Sequence, residues 1–379
     1  DNDPSESVDT YKAQLDWRIT DRVRIRGGHN VANRAPNIGE LFEAKTQIVG
    51  AGGSVLGDLC NPGNTTGGAL STNPALNPNA PQVRTMCEQQ MGVTGAAAYY
   101  APGNVPVTST LGNRTGNPTL HSEEGRTTTV GAVLRIKDTT SLSIDAYEIN
   151  IKDYISAALG ESVFRECYDP VFNPTYNPFT AACNQIIRDP TNGNIAAVDV
   201  TYSNNPQVDT RGVDVQFNWS TGMGGGNLNL NFLASFLDSF KTKLNASGPW
   251  TEWKGTFGPT GLAGVQSGAF DYRTFTTASY GKNDWNVSLQ WRHLPEIKPA
   301  AIVTSPTTTT IATPSYDIFD LSAGYELKDQ WRLRVGIDNL FDKQPVYTNA
   351  TRFTRGTAVN GGFYDVLGRR AYVGLSLSF

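Results

Sequence analysis

Along much of this chain the hydrophobic positions fall on every second residue. In WRLRVGIDNLF, Trp331, Leu333, Val335 and Ile337 share one parity, while Arg332, Arg334, Gly336 and Asp338 share the other. DWNVSLQWR sets Trp285, Val287, Leu289 and Trp291 against Asn286, Ser288, Gln290 and Arg292. VDVQFNW and YKAQLDWRI repeat the pattern, the latter with Tyr11, Ala13, Leu15, Trp17 and Ile19 on one side. A period of two over such runs predicts β-strands with one apolar and one polar face. No stretch carries a comparable helical period. In LSIDAYEINI the apolar parity shifts between Ala146 and Tyr147, which predicts a β-bulge there.

The pattern predicts eleven strands, near residues 10–19, 22–32, 122–136, 141–154, 208–220, 226–240, 265–280, 284–295, 315–327, 330–341 and 365–379. Tight turns at Thr20-Asp21, Lys137–Thr140, Thr221–Gly225, Gly281–Asn283 and Lys328-Asp329 alternate with long loops at 33–121, 155–207, 241–264, 296–314 and 342–364. The strands run about 10 to 15 residues, where roughly 5 or 6 is usual in globular proteins. Aromatic residues sit near the ends of the apolar faces, as in Trp285 and Trp291, Phe319 and Tyr325, or Tyr11 and Trp17. Short turns at one end, long loops at the other and aromatic girdles mark an outer-membrane barrel, whereas a soluble sandwich has no reason to sort its loops. The fold class expected is therefore all-β, a transmembrane antiparallel β-barrel with its polar face toward the lumen. Reversing the faces would put Arg332 and Arg334 in lipid, at about 2–4 kcal/mol each near the midplane.

Composition adds exclusions. Only 17% of the 379 residues are charged and the net charge is −4, without basic runs, so no nucleic-acid partner is expected. No stretch approaches the roughly 18 apolar residues of a transmembrane helix. The polar start DNDPSESV is no signal peptide. If Phe379 ends in the periplasm, the first strand runs inward from the outside. With an odd strand count, the expectation is that a further strand precedes Asp1 and that the first and last strands do not pair.

Several blocks resemble the TonB-dependent receptors: RAPNIGELF (34–42), GNPTLHSEEGRTTTVGAVLRI (116–136), SIDAYEINIKDYI (143–155), FDLSAGYEL (319–327), VGIDNLFDKQPVY (335–347) and YDVLGRRAYVGLSLSF (364–379). The resemblance implies a 22-stranded barrel filled by a plug domain, of which residues 1–379 would be the C-terminal half, with plug and energy-coupling box absent. It also implies that the terminal strand, with Val373, Leu375, Leu377 and Phe379, is the signal read by the barrel-insertion machinery. It further implies placement in the outer membrane of a Gram-negative bacterium, contact with its lipid, and import of a scarce solute driven by the TonB complex through the missing N-terminal region. Ferric siderophores are the expected class, with carbohydrate or cobalamin as alternatives. A passive porin-like channel and a surface adhesin are the competing readings.

Catalysis has little support. His29, His121 and His293 are far apart, and no HExxH, GxSxG or paired CxxC occurs. No cofactor or metal is expected, and MGGGN at 223–227 reads as a tight turn. His29 and Arg26 read as rim or lumenal polar residues. Cys60 and Cys87 lie in one long loop, Cys167 and Cys183 in another, which reads as two within-loop disulfides formed in an oxidising compartment. A four-thiolate metal site lacks the close spacing zinc uses, while spacing alone leaves cross-pairing open. Anchored at both ends and cross-linked, the loop at 33–121 is expected to fold as an external lid. Arg22, Arg24 and Arg26 share one polar face, and Arg24 and Arg26 are candidate contacts for an anionic solute. The competing reading is that they pair with carboxylates of neighbouring strands or of the plug. Arg34 and Glu40 are candidates of the same kind, with tethering of the emerging chain as the favoured role.

Overall fold

The computed structural model describes residues 8–49, 56–106, 111–157, 160–244, 248–258, 268–304, 311–328, 331–348 and 360–377. Its main element is one antiparallel sheet whose principal path has eleven strands. They are numbered here β1 (Tyr11–Arg18), β2 (Val23–Arg34), β3 (Glu123–Lys137), β4 (Thr140–Lys152), β5 (Gln207–Met223), β6 (Gly226–Lys243), β7 (Tyr272–Lys282), β8 (Trp285–Leu294), β9 (Tyr316–Lys328), β10 (Trp331–Asp338) and β11 (Arg370–Leu377). Each pairs with its neighbours in chain order, and a two-residue strand, Thr251–Glu252, adds to β6. Among the described residues β1 and β11 have one neighbour each.

The turns are as short as the sequence predicts. β5 meets β6 through Gly224 and Gly225, both at positive φ (58° and 81°), the conformation a two-residue hairpin turn demands. At β1–β2 the Thr20 hydroxyl accepts the backbone N–H groups of Arg22 and Val23. The turn expected at Lys328-Asp329 lies partly outside the described residues, as do Phe379 and the start of the strand expected at 265.

Register shows how the strands are inclined. A row perpendicular to them starts at Trp17, one residue from the end of β1. It passes through Ile25, Ala132, Ile144, Val215, Ala234, Thr274 and His293, and ends on Asp317, the second residue of β9. The row climbs from the short-turn end to the long-loop end, the stagger that tilted barrel strands require. On the apolar face, Leu15 is 59% exposed and Val373 75%. Side chains of this kind on a continuous sheet face, with nothing packed on them, belong against lipid.

The bulge expected at Ala146–Tyr147 is not there. Ala146 and Tyr147 face Val130 and Thr129 on one side, Val213 and Gly212 on the other, without a break in register. The parity shift has a different cause: above Ala146, β4 climbs out of the apolar band. Outward positions become Glu148, Asn150 and Lys152, facing Arg211 and Asp209 across the pair, while Ile149 and Ile151 turn inward and are half-buried. The irregularity lies one pair further on, where Arg211 and Gly212 face Ser239 and Leu237 and Asp238 is the extra residue.

A helix corrects a second expectation. Residues Ala80–Tyr99 form two helical pieces kinked at Gly92. Val83, Met86, Cys87 and Met91 are buried along one side, a helical stripe interrupted by too many small residues to register as a period. The loops after β2 and β4 thus carry structure and merge into one loop domain. Leu111–Thr115 pairs antiparallel with Thr46–Val49 and parallel with Ile195–Ser203, which in turn pairs with Ile186–Arg188 and Ser156–Ala157. One apolar core draws on both loops, including Leu59, Val83, Met86, Phe164, Tyr168 and Val198.

Outward Leu289 and lumenal Ser288 are neighbours on β8 with opposite surroundings. In vesicle-reconstituted protein, Leu289→Arg should lower unfolding stability by about 2–4 kcal/mol, and Ser288→Arg by no more than about 0.5 kcal/mol. Denaturant titration of both variants measures the contrast.

Candidate functional site

Two regions concentrate polar chemistry: the lumenal face of the sheet, and the loop domain at its long-loop end. On the lumenal face the sequence singled out Arg24 and Arg26. Arg24 Nε donates to Asp16 Oδ1 at 2.6 Å, and its Nη2 bonds the second oxygen. Arg26 reaches across β3 to Asp145 on β4, with Nε–Oδ1 2.7 Å and Nη2–Oδ2 2.6 Å, and also donates to Ser143. Its path is open because the residue between them is Gly131, where a Cβ would stand 2.0 Å from Asp145 Oδ1. Both guanidinium groups are therefore matched by carboxylates of neighbouring strands.

Arg34 and Glu40 meet each other. Arg34 ends β2 and donates through Nε and Nη2 to Glu123, its cross-strand partner, at 2.8 and 3.1 Å. Its Nη1 donates to both oxygens of Glu40 at 3.1 and 3.0 Å. Glu40 also closes a capping box with Asn37 on the short helix Ile38–Phe42. Glu123 accepts the buried backbone N–H of Ile155 at 2.9 Å. One guanidinium thus joins the top of β2, the first turn of the first loop, the start of β3 and the exit of β4. His29 lies on the outward face near the same end, 2.9 Å from the Thr128 hydroxyl.

In the loop domain the four cysteines form the disulfides Cys60–Cys87 and Cys167–Cys183, one in each loop. Between them lies a pair that sequence reading missed. Asp58 of the first loop and Arg188 of the second are fully buried, with Nη2–Oδ1 2.8 Å and Nη1–Oδ2 3.1 Å. Tyr99 donates to Asp58 Oδ2 at 2.7 Å, and Cys60 N–H to Oδ1 at 3.0 Å. Arg188 also donates to the Gly193 carbonyl and the Tyr168 hydroxyl, while its Nε has no acceptor among the described residues. Burial works against the charge on Asp58, but the adjacent guanidinium outweighs it and holds the carboxyl below its usual range. Burial pushes the Tyr99 and Tyr168 hydroxyls up, so both stay protonated donors. The separation of 130 positions between Asp58 and Arg188 leaves no local signal of the contact.

The sheet, its stagger and its polar inner face define a membrane β-barrel wall bearing a folded domain at one end. Family comparison agrees: the model described as TonB dependent receptor-like, beta-barrel matches residues 1–340, and the chain belongs to that family. Among solved structures, a double mutant of the ferric enterobactin receptor PfeA from Pseudomonas aeruginosa superposes with a TM-score of 0.59 at 16% identity, covering 98% of this chain and 40% of that one. The siderophore receptor PirA from Acinetobacter baumannii gives 0.55 at 15%, covering 98% and 41%. The FrpB iron transporter from Neisseria meningitidis gives 0.51 at 11%, covering 97% and 39%. The chain thus spans about 40% of the solved structures it resembles. No curated protein sequence matches it.

Two measurements address the loop domain. Asp58→Asn leaves Arg188 buried and uncompensated, and should lower the domain's stability by about 3–5 kcal/mol at neutral pH. Because the Asp58 carboxyl is depressed in the fold, its stabilising contribution is complete above about pH 4. It fades as pH falls through the folded value, and Asp58→Asn should remove that acid dependence from thermal melts. Breaking either disulfide should remove about 3 kcal/mol on the chain-entropy model, read as faster limited proteolysis confined to residues of the two loops.

Proposed function

We propose that this chain forms part of the barrel wall and the external lid of an outer-membrane receptor that imports a scarce solute, a ferric siderophore, with energy from the TonB complex. The observation that supports it most is the combination of a staggered two-faced sheet with a folded, disulfide-linked domain built from two long loops. A passive pore needs a constriction but no such body; a receptor that captures a rare solute needs a surface to hold it. The siderophore and iron receptors among the structural neighbours favour iron chelates over carbohydrate or cobalamin.

In this reading the long-loop end faces outward and the short turns face the periplasm, in a Gram-negative outer membrane. The TonB complex acts through an N-terminal region, and the C-terminal strand through Phe379 serves as the insertion signal. Of the four residues proposed for substrate, Arg24 and Arg26 act on it through the shape and neutrality of the wall, since each charge is already matched. Arg34 and Glu40 act by setting the position of the loop domain over the wall.

Deleting the gene should abolish uptake of one radioiron-labelled chelate in iron-starved cells, and collapsing the proton gradient should abolish the same uptake in wild type. Uptake that survives collapse of the gradient would make the protein a passive channel, and unchanged uptake of every iron chelate would remove the siderophore assignment.

A further inference from the structure

One lumenal row crosses seven strands at right angles: Asp16, Arg26, Gly131, Asp145, Asp214, Ser235 and Arg273. It contains the same arrangement twice. Arg26 and Asp145 are separated by one strand, and so are Asp214 and Arg273. In the first case the intervening residue is glycine and the bridge closes over it. In the second it is Ser235, and beside it the Tyr147 ring of β4 lies over Gly212. There the bridge does not form. Among the described residues Asp214 and Arg273 make no hydrogen bond or ion pair, and both are exposed to the lumen.

The two open charges border a groove of about 480 Å³, within the range of small-molecule clefts. Gln216 and Phe275 line it too, along with Arg292, which makes a single 3.2 Å contact with Asp320. Arg273 is the second residue of β7 and Arg292 the third from the end of β8, both at the long-loop end. A solute entering from that side meets them before the amide and hydroxyl positions lower down. Nearby Asp145 is already neutralised by Arg26. What remains is a guanidinium and a carboxylate two strand spacings apart, about 10 Å along the sheet, beside an amide and an aromatic ring.

We propose that Arg273 and Asp214 form a two-point subsite for an anionic ferric chelate that also carries hydrogen-bond donors. Arg273 pairs with its carboxylate or catecholate oxygens, Asp214 accepts from an amide or ammonium group on the same ligand, and Ser235 keeps the two from cancelling each other. This rests on the import reading above and adds the charge and polarity of the solute to it. Charge-assisted hydrogen bonds of this kind are the strong ones, and a guanidinium presents them to a planar oxygen pair in fixed geometry.

The test uses the full-length protein in lipid and three probes: ferric enterobactin and ferric citrate, both anionic, and neutral ferrichrome. Wild type should prefer an anionic chelate. Arg273→Gln should weaken it about 10- to 100-fold and leave ferrichrome unchanged. Ser235→Gly keeps both charges but opens the path that Gly131 opens for Arg26. It should weaken the same chelate by letting Asp214 and Arg273 bridge. Preference for ferrichrome, or anionic affinity unmoved by Arg273→Gln, overturns the subsite. Unmoved affinity with an increased leak of small solutes assigns the groove to the protein's own lumenal segment, which also overturns it. If wild type binds none of the three probes, the siderophore reading falls and the subsite falls with it.

Discussion

A strand in hydrocarbon must give every backbone N–H and C=O to a neighbouring strand, because an unpaired group there costs several kcal/mol. Once the sheet is continuous, each residue has only two directions left, lipid or lumen, and the sequence must obey that choice for the full height of the membrane. The stagger from Trp17 to Asp317 follows, since a sheet can curve toward closure only if its strands tilt. The lumenal polar wall follows too. Its charges cannot all remain bare, so Arg24 and Arg26 are matched by Asp16 and Asp145, and Arg332 by Glu326.

This constraint explains why the barrel strands were legible and the loop domain was not. Lipid on one side and water on the other write a period of two into the chain, and the eleven strands and their order can be read from it. Where the membrane ends, the rule ends with it. The parity shift at Ala146–Tyr147 is that boundary, and taking it for a bulge mistook a change of solvent for a change of backbone. The helix Ala80–Tyr99 buries its stripe in a core that half belongs to another loop, so its periodicity is diluted by small residues that its close neighbours require.

The site was legible to the extent that its partners were local. Arg34 and Glu40 stand six residues apart in one motif that the sequence singled out, and the fold joins them to each other. Asp58 and Arg188 have no pattern in common. Each is a single charge in an ordinary loop, and only the fold shows that one neutralises the other in a dry core. The open pair at Asp214 and Arg273 was equally hidden. Alternation places both in the lumen, but only register shows that they share a row and that a serine stands where the neighbouring pair has a glycine.

Because the two loops share one core, neither can move away from the barrel alone without exposing residues such as Phe164, Met86 and Val198 to water. Their bases are tied as well. Asn204 donates to the carbonyls of His121 and Asp153, Asn117 donates to that of Tyr202, and Tyr154 N–H bonds the Pro206 carbonyl. The Arg34 hub clamps the remaining crossing point. Local flexing of a single loop tip is therefore costly, and displacement of the whole domain would break these polar contacts and open the small apolar cluster of Leu41, Leu120 and Ile155 at its base. The two loops therefore form one body that moves as a unit or not at all. The buried ion pair and both disulfides lie inside that body, where they keep it rigid.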